Sequence, residues 1–88
     1  VNDAANAEFT FAAIPGDTIE RIQLAGPNLD NVVVENTDEN LTYVEDTDYI
    51  VDTLRGQILR IPTGDITAGQ TVRVTYDYTP PNYEQINL

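Results

Sequence analysis

The alternation of apolar and polar positions is most regular near the end of the chain. In "TVRVTYDY", residues 71–78, Val72, Val74, Tyr76 and Tyr78 fall on one face, and Thr71, Arg73, Thr75 and Asp77 fall on the other. A period of two held over this length predicts an antiparallel strand with one buried face and one solvated face. Upstream, "DTDYIVDTLRGQILRIP" reads as a hairpin. Tyr49 and Val51 share a face, "TLRG" reverses the chain at Gly56, and Leu59 and Ile61 alternate with Arg60 on the return strand. This pattern places Tyr49, Val51, Leu59 and Ile61 in the core, with Leu54 and Arg55 at an exposed tip.

The earlier runs are shorter. "EFTFAAI" groups Phe9, Phe11 and Ala13 before a "PGD" turn, and "TIERIQLAG" offers Ile22 and Leu24 around Gln23. "NVVVEN" carries three consecutive Val, which predicts a strand buried on both sides or one whose edge is covered. "TDENLTYVEDTDY" is the densest polar run and reads as a loop, a short strand around Thr42 to Val44, and a tight turn at "EDTD". No amphipathic helix pattern of useful length occurs. About seven strands within residues 8–79, separated by regular turn signals, predict an all-β fold, a small antiparallel immunoglobulin-like β-sandwich. The Cys pair and buried Trp of antibody domains are missing from it.

The two ends lack this periodicity. Residues 1–7 read as an N-terminal arm or linker and residues 80–88 as a Pro-rich C-terminal arm, where Pro80 and Pro81 favour a stiff extended segment without backbone donors. The chain reads as a segment of something longer. Arms of this kind order against neighbours, and Tyr83 in the tail is placed for such a contact.

Composition narrows the chemistry more than any motif does. The chain has 88 residues, room for one hydrophobic core. It contains no Cys, so disulfides and thiolate metal sites are excluded, and no His, which removes the commonest general base and metal ligand. Its four cationic side chains are Arg21, Arg55, Arg60 and Arg73; without Lys, Schiff-base chemistry and Lys–Asn isopeptide crosslinks are also excluded. Fifteen acidic residues give a net charge of -11, which opposes nucleic-acid binding and favours solubility. Acidity without Lys also fits a high-salt setting, where cations screen self-repulsion. No apolar run is long enough to span a membrane, and no secretory leader pattern opens the chain.

Residues 32–78 contain a Val-rich strand, an aromatic strand, the strand opening "TDYIVD", the hairpin return "GQILRIP" and the closing "AGQTVRVTYDY". In this order they resemble Ig-like β domains found in structural proteins of tailed bacteriophages and archaeal viruses. The resemblance covers about half of the chain. It implies a non-enzymatic virion structural role, as a capsid decoration or tail component whose partners are other virion proteins or copies of itself. Similar segments occur in repeated domains of bacterial and archaeal surface proteins, which keeps open a cell-surface or tail-tip module that binds glycans. The family pattern carries more Gly where this chain has "RGQ" and "TGD".

Several residues are candidates for chemistry or contact. Glu45, Asp46 and Asp48, with Asp38 and Glu39 nearby, offer oxygen ligands for Ca²⁺, although their spacing matches no EF-hand loop; the ordinary reading is a solvated acidic turn, with no cofactor. Paired carboxylates also raise glycoside hydrolysis, but no sequence feature supplies a cleft to desolvate one of them. Tyr43, Tyr49, Tyr76 and Tyr78 lie on strands and read as core, against the alternative of a sugar-stacking platform. "NLT" at Asn40 is a glycosylation sequon. Arg60 and Arg73 are expected on polar strand faces, paired with acids such as Asp52 or Asp77. Together with Pro80, Pro81 and Tyr83, they are the candidate assembly contacts.

Overall fold

A computed structural model describes residues 3–80 of the chain. Seven strands occur among them: β1 (Asp3–Thr10), β2 (Ala12–Ala13), β3 (Glu20–Gln23), β4 (Asp30–Asn36), β5 (Tyr49–Asp52), β6 (Gln57–Arg60) and β7 (Thr71–Tyr78). They form two antiparallel sheets, one of order β1-β7-β4 and one of order β2-β3-β6-β5. The chain crosses from the first sheet to the second at Phe11, whose side chain is buried and whose N–H donates to Gln70 O at 3.0 Å.

The strand with the strongest alternation occupies the centre of its sheet. β7 spans the expected residues and turns Val72, Val74 and Tyr76 inward, where they join Val34 of β4 and face Ile22, Tyr49 and Ile58 of the other sheet. Full burial of side chains of this size contributes about 1.5–3 kcal/mol each. Phe11, Leu24, Leu29, Tyr43 and Ile66 close the ends of the core. Two of the buried tyrosines hold a hydrogen bond at the hydroxyl: Tyr76 accepts from Ala25 N at 3.1 Å, and Tyr43 accepts from Gln70 Nε2 at 2.5 Å.

Three expectations need correction. The strand β1 begins at Asp3, inside the segment expected to be an arm, and pairs with β7 along its full length. Ala has a weak strand preference, but Ala5, Ala7 and Phe9 continue one inward-facing row, and pairing with β7 decides the conformation. On the hairpin, Tyr49 is buried and Val51 packs against the core as expected, yet Ile58 is the buried residue of β6, not Leu59. The register sets Val51 opposite Ile58 and Tyr49 opposite Arg60, so Arg60 shares the inward face.

Of the two readings open for "NVVVEN", a strand buried on both sides or one whose edge is covered, the structure takes the second, and the third correction falls on the segment that covers it. Val34 is buried and Val32 packs on the core, whereas Val33 points outward, so the strand is not buried on both sides. Its edge is covered instead: Tyr43 N donates to Val34 O at 2.8 Å and Asn36 N to Leu41 O at 3.0 Å. The expected strand at Thr42 to Val44 is reduced to one bridge, Glu35 to Thr42.

Candidate functional site

Each arginine is held by an acid of this chain. Arg21 Nη2 donates to Asp17 Oδ2 at 2.7 Å, and its Nη1 to Gln57 Oε1 at 3.2 Å. At the exposed hairpin tip, Arg55 pairs with Asp52 at 3.0 Å. Arg73 lies on the outer face of β7, as expected, but its partner is Glu8 on β1 at 2.9 Å, with Asn6 Oδ1 accepting a second bond. The nearest acids by register, Glu8 and Glu35, stand opposite Arg73 on the two flanking strands, and this geometry displaces the expected Asp77.

Arg60 departs furthest from expectation. Its side chain is 14% exposed, and its Nε lies 3.5 Å from Glu20 Oε1, an electrostatic contact without a hydrogen bond. Its Nη1 donates to Ile66 O at 3.0 Å, while Glu20 Oε1 accepts from Gly69 N at 2.8 Å. The pair therefore ties strands β3 and β6 to the connection between β6 and β7. This position takes Arg60 off the outer surface expected of an assembly contact. Neither Glu20 nor this latch is visible in the sequence, because the pairing depends on sheet register.

The acidic turn is organised around its backbone. Asp48 is 3% exposed; its Oδ2 accepts from Val44 N and its Oδ1 from Asp65 N, both at 2.8 Å. One buried carboxylate thus closes two loops by satisfying amides that would otherwise be orphaned. Glu45 and Asp46 stay exposed, and Asp46 adopts a positive φ of 68°. Among the described residues no group of three or more acidic side chains is gathered to hold a metal ion, and the candidate Ca²⁺ ligands Glu45, Asp46 and Asp48 are not brought together as a set. These charges act on Tyr49 nonetheless: burial first, then Glu45, Asp48 and Asp46, push its phenol above the ordinary range. The carboxyl of Asp17 is lowered, chiefly by the hydrogen bond from Ile19 N, and that of Asp52 by its bond with the Arg55 side chain.

Tyr43, Tyr49 and Tyr76 are buried, and Tyr78 packs on the core with its ring 5.7 Å from that of Tyr76, so these rings form no exposed sugar platform. Asn40 is exposed, its Oδ1 accepting from Asn36 Nδ2 at 2.6 Å. Pro80 is half-buried, and Pro81 and Tyr83 lie outside the described residues. Among the described residues no helix is long and apolar enough to cross a membrane. Two sheets enclose one core, and each of the four arginines is paired with an acid of the same chain.

Comparison with known proteins finds two likenesses. A family model described as "Protein of unknown function UCP028589" matches residues 1–86. A tail sheath protein of Burkholderia phage BcepMu is 44% identical over 81 residues, covering 91% of this chain. The chain spans 16% of the length of that curated relative. No solved structure matches.

Proposed function

The chain belongs to the family described as Protein of unknown function UCP028589, and from that premise we propose that it is a non-enzymatic structural module of a phage tail, located in the virion. The observation that carries this reading is the 44% identity to a tail sheath protein across nearly the whole chain. The module works by geometry: a stiff sandwich sets spacing, and its faces and strand edges make contacts with other virion proteins or further copies.

The topology supports the immunoglobulin-like reading of the fold. The order β2-β3-β6-β5 follows the A-B-E-D sheet of such domains, and β4-β7 follows the C-F pair. The third place in the smaller sheet, which the last strand holds in an immunoglobulin domain, is taken here by β1 from the chain's start.

Cryo-electron microscopy of the purified phage tests the proposal. Ordered density for the sandwich, repeated along the tail by its helical symmetry, is the expected result. Absence from the tail, or a single copy on a flexible stalk, overturns it.

A further inference from the structure

The two lateral sides of the sandwich differ in kind. β1 and β2 close one side, while β4 and β5, joined by residues 37–48, close the other. From Ile22 to Leu54 the chain carries no cationic side chain, and this stretch builds the whole β4–β5 side. Within it Asp38, Glu39, Glu45 and Asp46 are exposed and Glu35 is half-exposed. Asp52 is engaged by Arg55, and Asp48 is buried.

Aliphatic side chains stand among these acids. Val33, Leu41, Val44 and Ile50 are between 40% and 58% exposed. The bridge from Glu35 to Thr42 lays the 41–44 segment antiparallel against β4, which brings Val33 and Val44 to one stretch of the outer surface. On the opposite side β1 turns Ala4, Asn6, Glu8 and Thr10 outward, and although Ile14 and Ile19 are exposed beyond β2, the neighbouring acids Glu8 and Asp17 are already paired with Arg73 and Arg21.

We propose that the β4–β5 side is a docking face for a protein surface that sets Lys or Arg around an aliphatic patch, and that this surface lies outside these 88 residues. The occupant follows from charge complementarity. A second copy of the chain is a poor match, because Arg21, Arg60 and Arg73 are held by acids of their own chain and only Arg55, at the exposed hairpin tip and paired with Asp52, presents a cation outward. Nucleic acid and anionic lipid are repelled by the same carboxylates. Exposed aliphatics beside them exclude water when a partner closes over them, and in that drier setting each cation–carboxylate contact strengthens. The inference rests on the assembly reading above and names the face through which assembly occurs.

Zero-length carbodiimide coupling on purified phage particles tests it with unusual directness. The reagent joins carboxylates to amines, and because the chain has no lysine, every carboxylate-to-lysine cross-link from it ends outside these 88 residues. The expected result is cross-links from Glu35, Asp38, Glu39, Glu45 or Asp46, with the same carboxylates protected from labelling in intact particles relative to dissociated ones. Cross-links and protection confined to Asp3, Asp17, Asp65 or Asp77 overturn the docking face and leave the assembly reading standing. If no carboxylate of the chain is protected by assembly, both fall. Val44→Ser combined with Glu45→Lys, two exposed positions, is expected to reduce incorporation into particles about tenfold without changing Tm, whereas Ile14→Ser, away from this face, incorporates normally. Normal incorporation of the double variant overturns the proposal.

Discussion

Gly56 packs against the backbone of Gly26, and a methyl group added at Gly56 would drive into the Gly26 carbonyl. Gly56 also holds a positive φ of 66°, and its carbonyl accepts from Leu24 N at 2.8 Å. The β5–β6 turn is thereby seated against the loop that follows β3. Gly56→Ala combines left-handed strain with a backbone collision that no side-chain rotation relieves, and is expected to destabilise by about 3 kcal/mol, a fall in Tm of about 15 °C. Gly69→Ala, at φ 72° but with open space around its Cβ, is expected to lose only about 1 kcal/mol. Thermal unfolding of the two variants separates collision from strain; equal losses refute the contact.

Asp48 makes a second, sharper test possible because its two oxygens serve two different loops. Asp48→Ala leaves the amides of Val44 and Asp65 without their acceptor in a buried site and is expected to destabilise by about 2–4 kcal/mol. Asp46→Ala, two residues away and exposed, removes a side chain from solvent and from a positive-φ position, so its effect should stay within about 1 kcal/mol. Hydrogen exchange at Val44 and Asp65 should accelerate in the first variant only.

The ionisable groups set opposite limbs of the stability profile. Asp17 and Asp52 titrate below the ordinary carboxylate range in the folded chain. Their contribution is therefore present above that range and is lost as pH falls through their depressed folded values. Tyr49 titrates above its ordinary range, so its contribution is complete below the unfolded phenol pKa and disappears as pH rises toward the raised folded value. Urea unfolding across pH should show Asp17→Asn flattening the acid limb alone and Tyr49→Phe the alkaline limb alone. Neutralising Glu45, the leading charged cause, should move tyrosinate formation at Tyr49 to lower pH.

What the sequence disclosed followed the clarity of its periodicity. β7 was legible residue by residue because apolar side chains occupy one phase only, and so were Tyr49 and Val51 of the hairpin. β6 was not, since Ile58, Leu59 and Ile61 occupy both phases and Arg60 looked solvent-facing. That choice turns on Glu20 and the Ile66 carbonyl, which lie in other parts of the chain and meet Arg60 only once the sheets form. The acidic turn was legible as a cluster of carboxylates, but the sequence carries no sign that Asp48 alone turns inward. Val33 and Val44 could be read as strand residues, yet their meeting requires the 41–44 segment to lie against β4.

The phase of β6 decides whether Arg60 is an internal latch, and it can be tested directly. Ile58 is fully buried opposite Val51, so Ile58→Asp places an unpaired charge in the core and is expected to unfold the chain, as is Val74→Asp in the facing sheet. Leu59→Asp, on the outer face beside Arg21, should leave a cooperative transition near the original Tm. The arginines then divide in the same way. Arg60→Ala strips the half-buried Glu20 of its counter-charge and frees the Ile66 carbonyl, a loss of about 2 kcal/mol. Arg55→Ala, at the exposed tip, should change stability by less than about 0.5 kcal/mol. If Leu59→Asp unfolds the chain while Ile58→Asp is tolerated, the register of the hairpin is shifted by one residue and the inward placement of Arg60 falls with it.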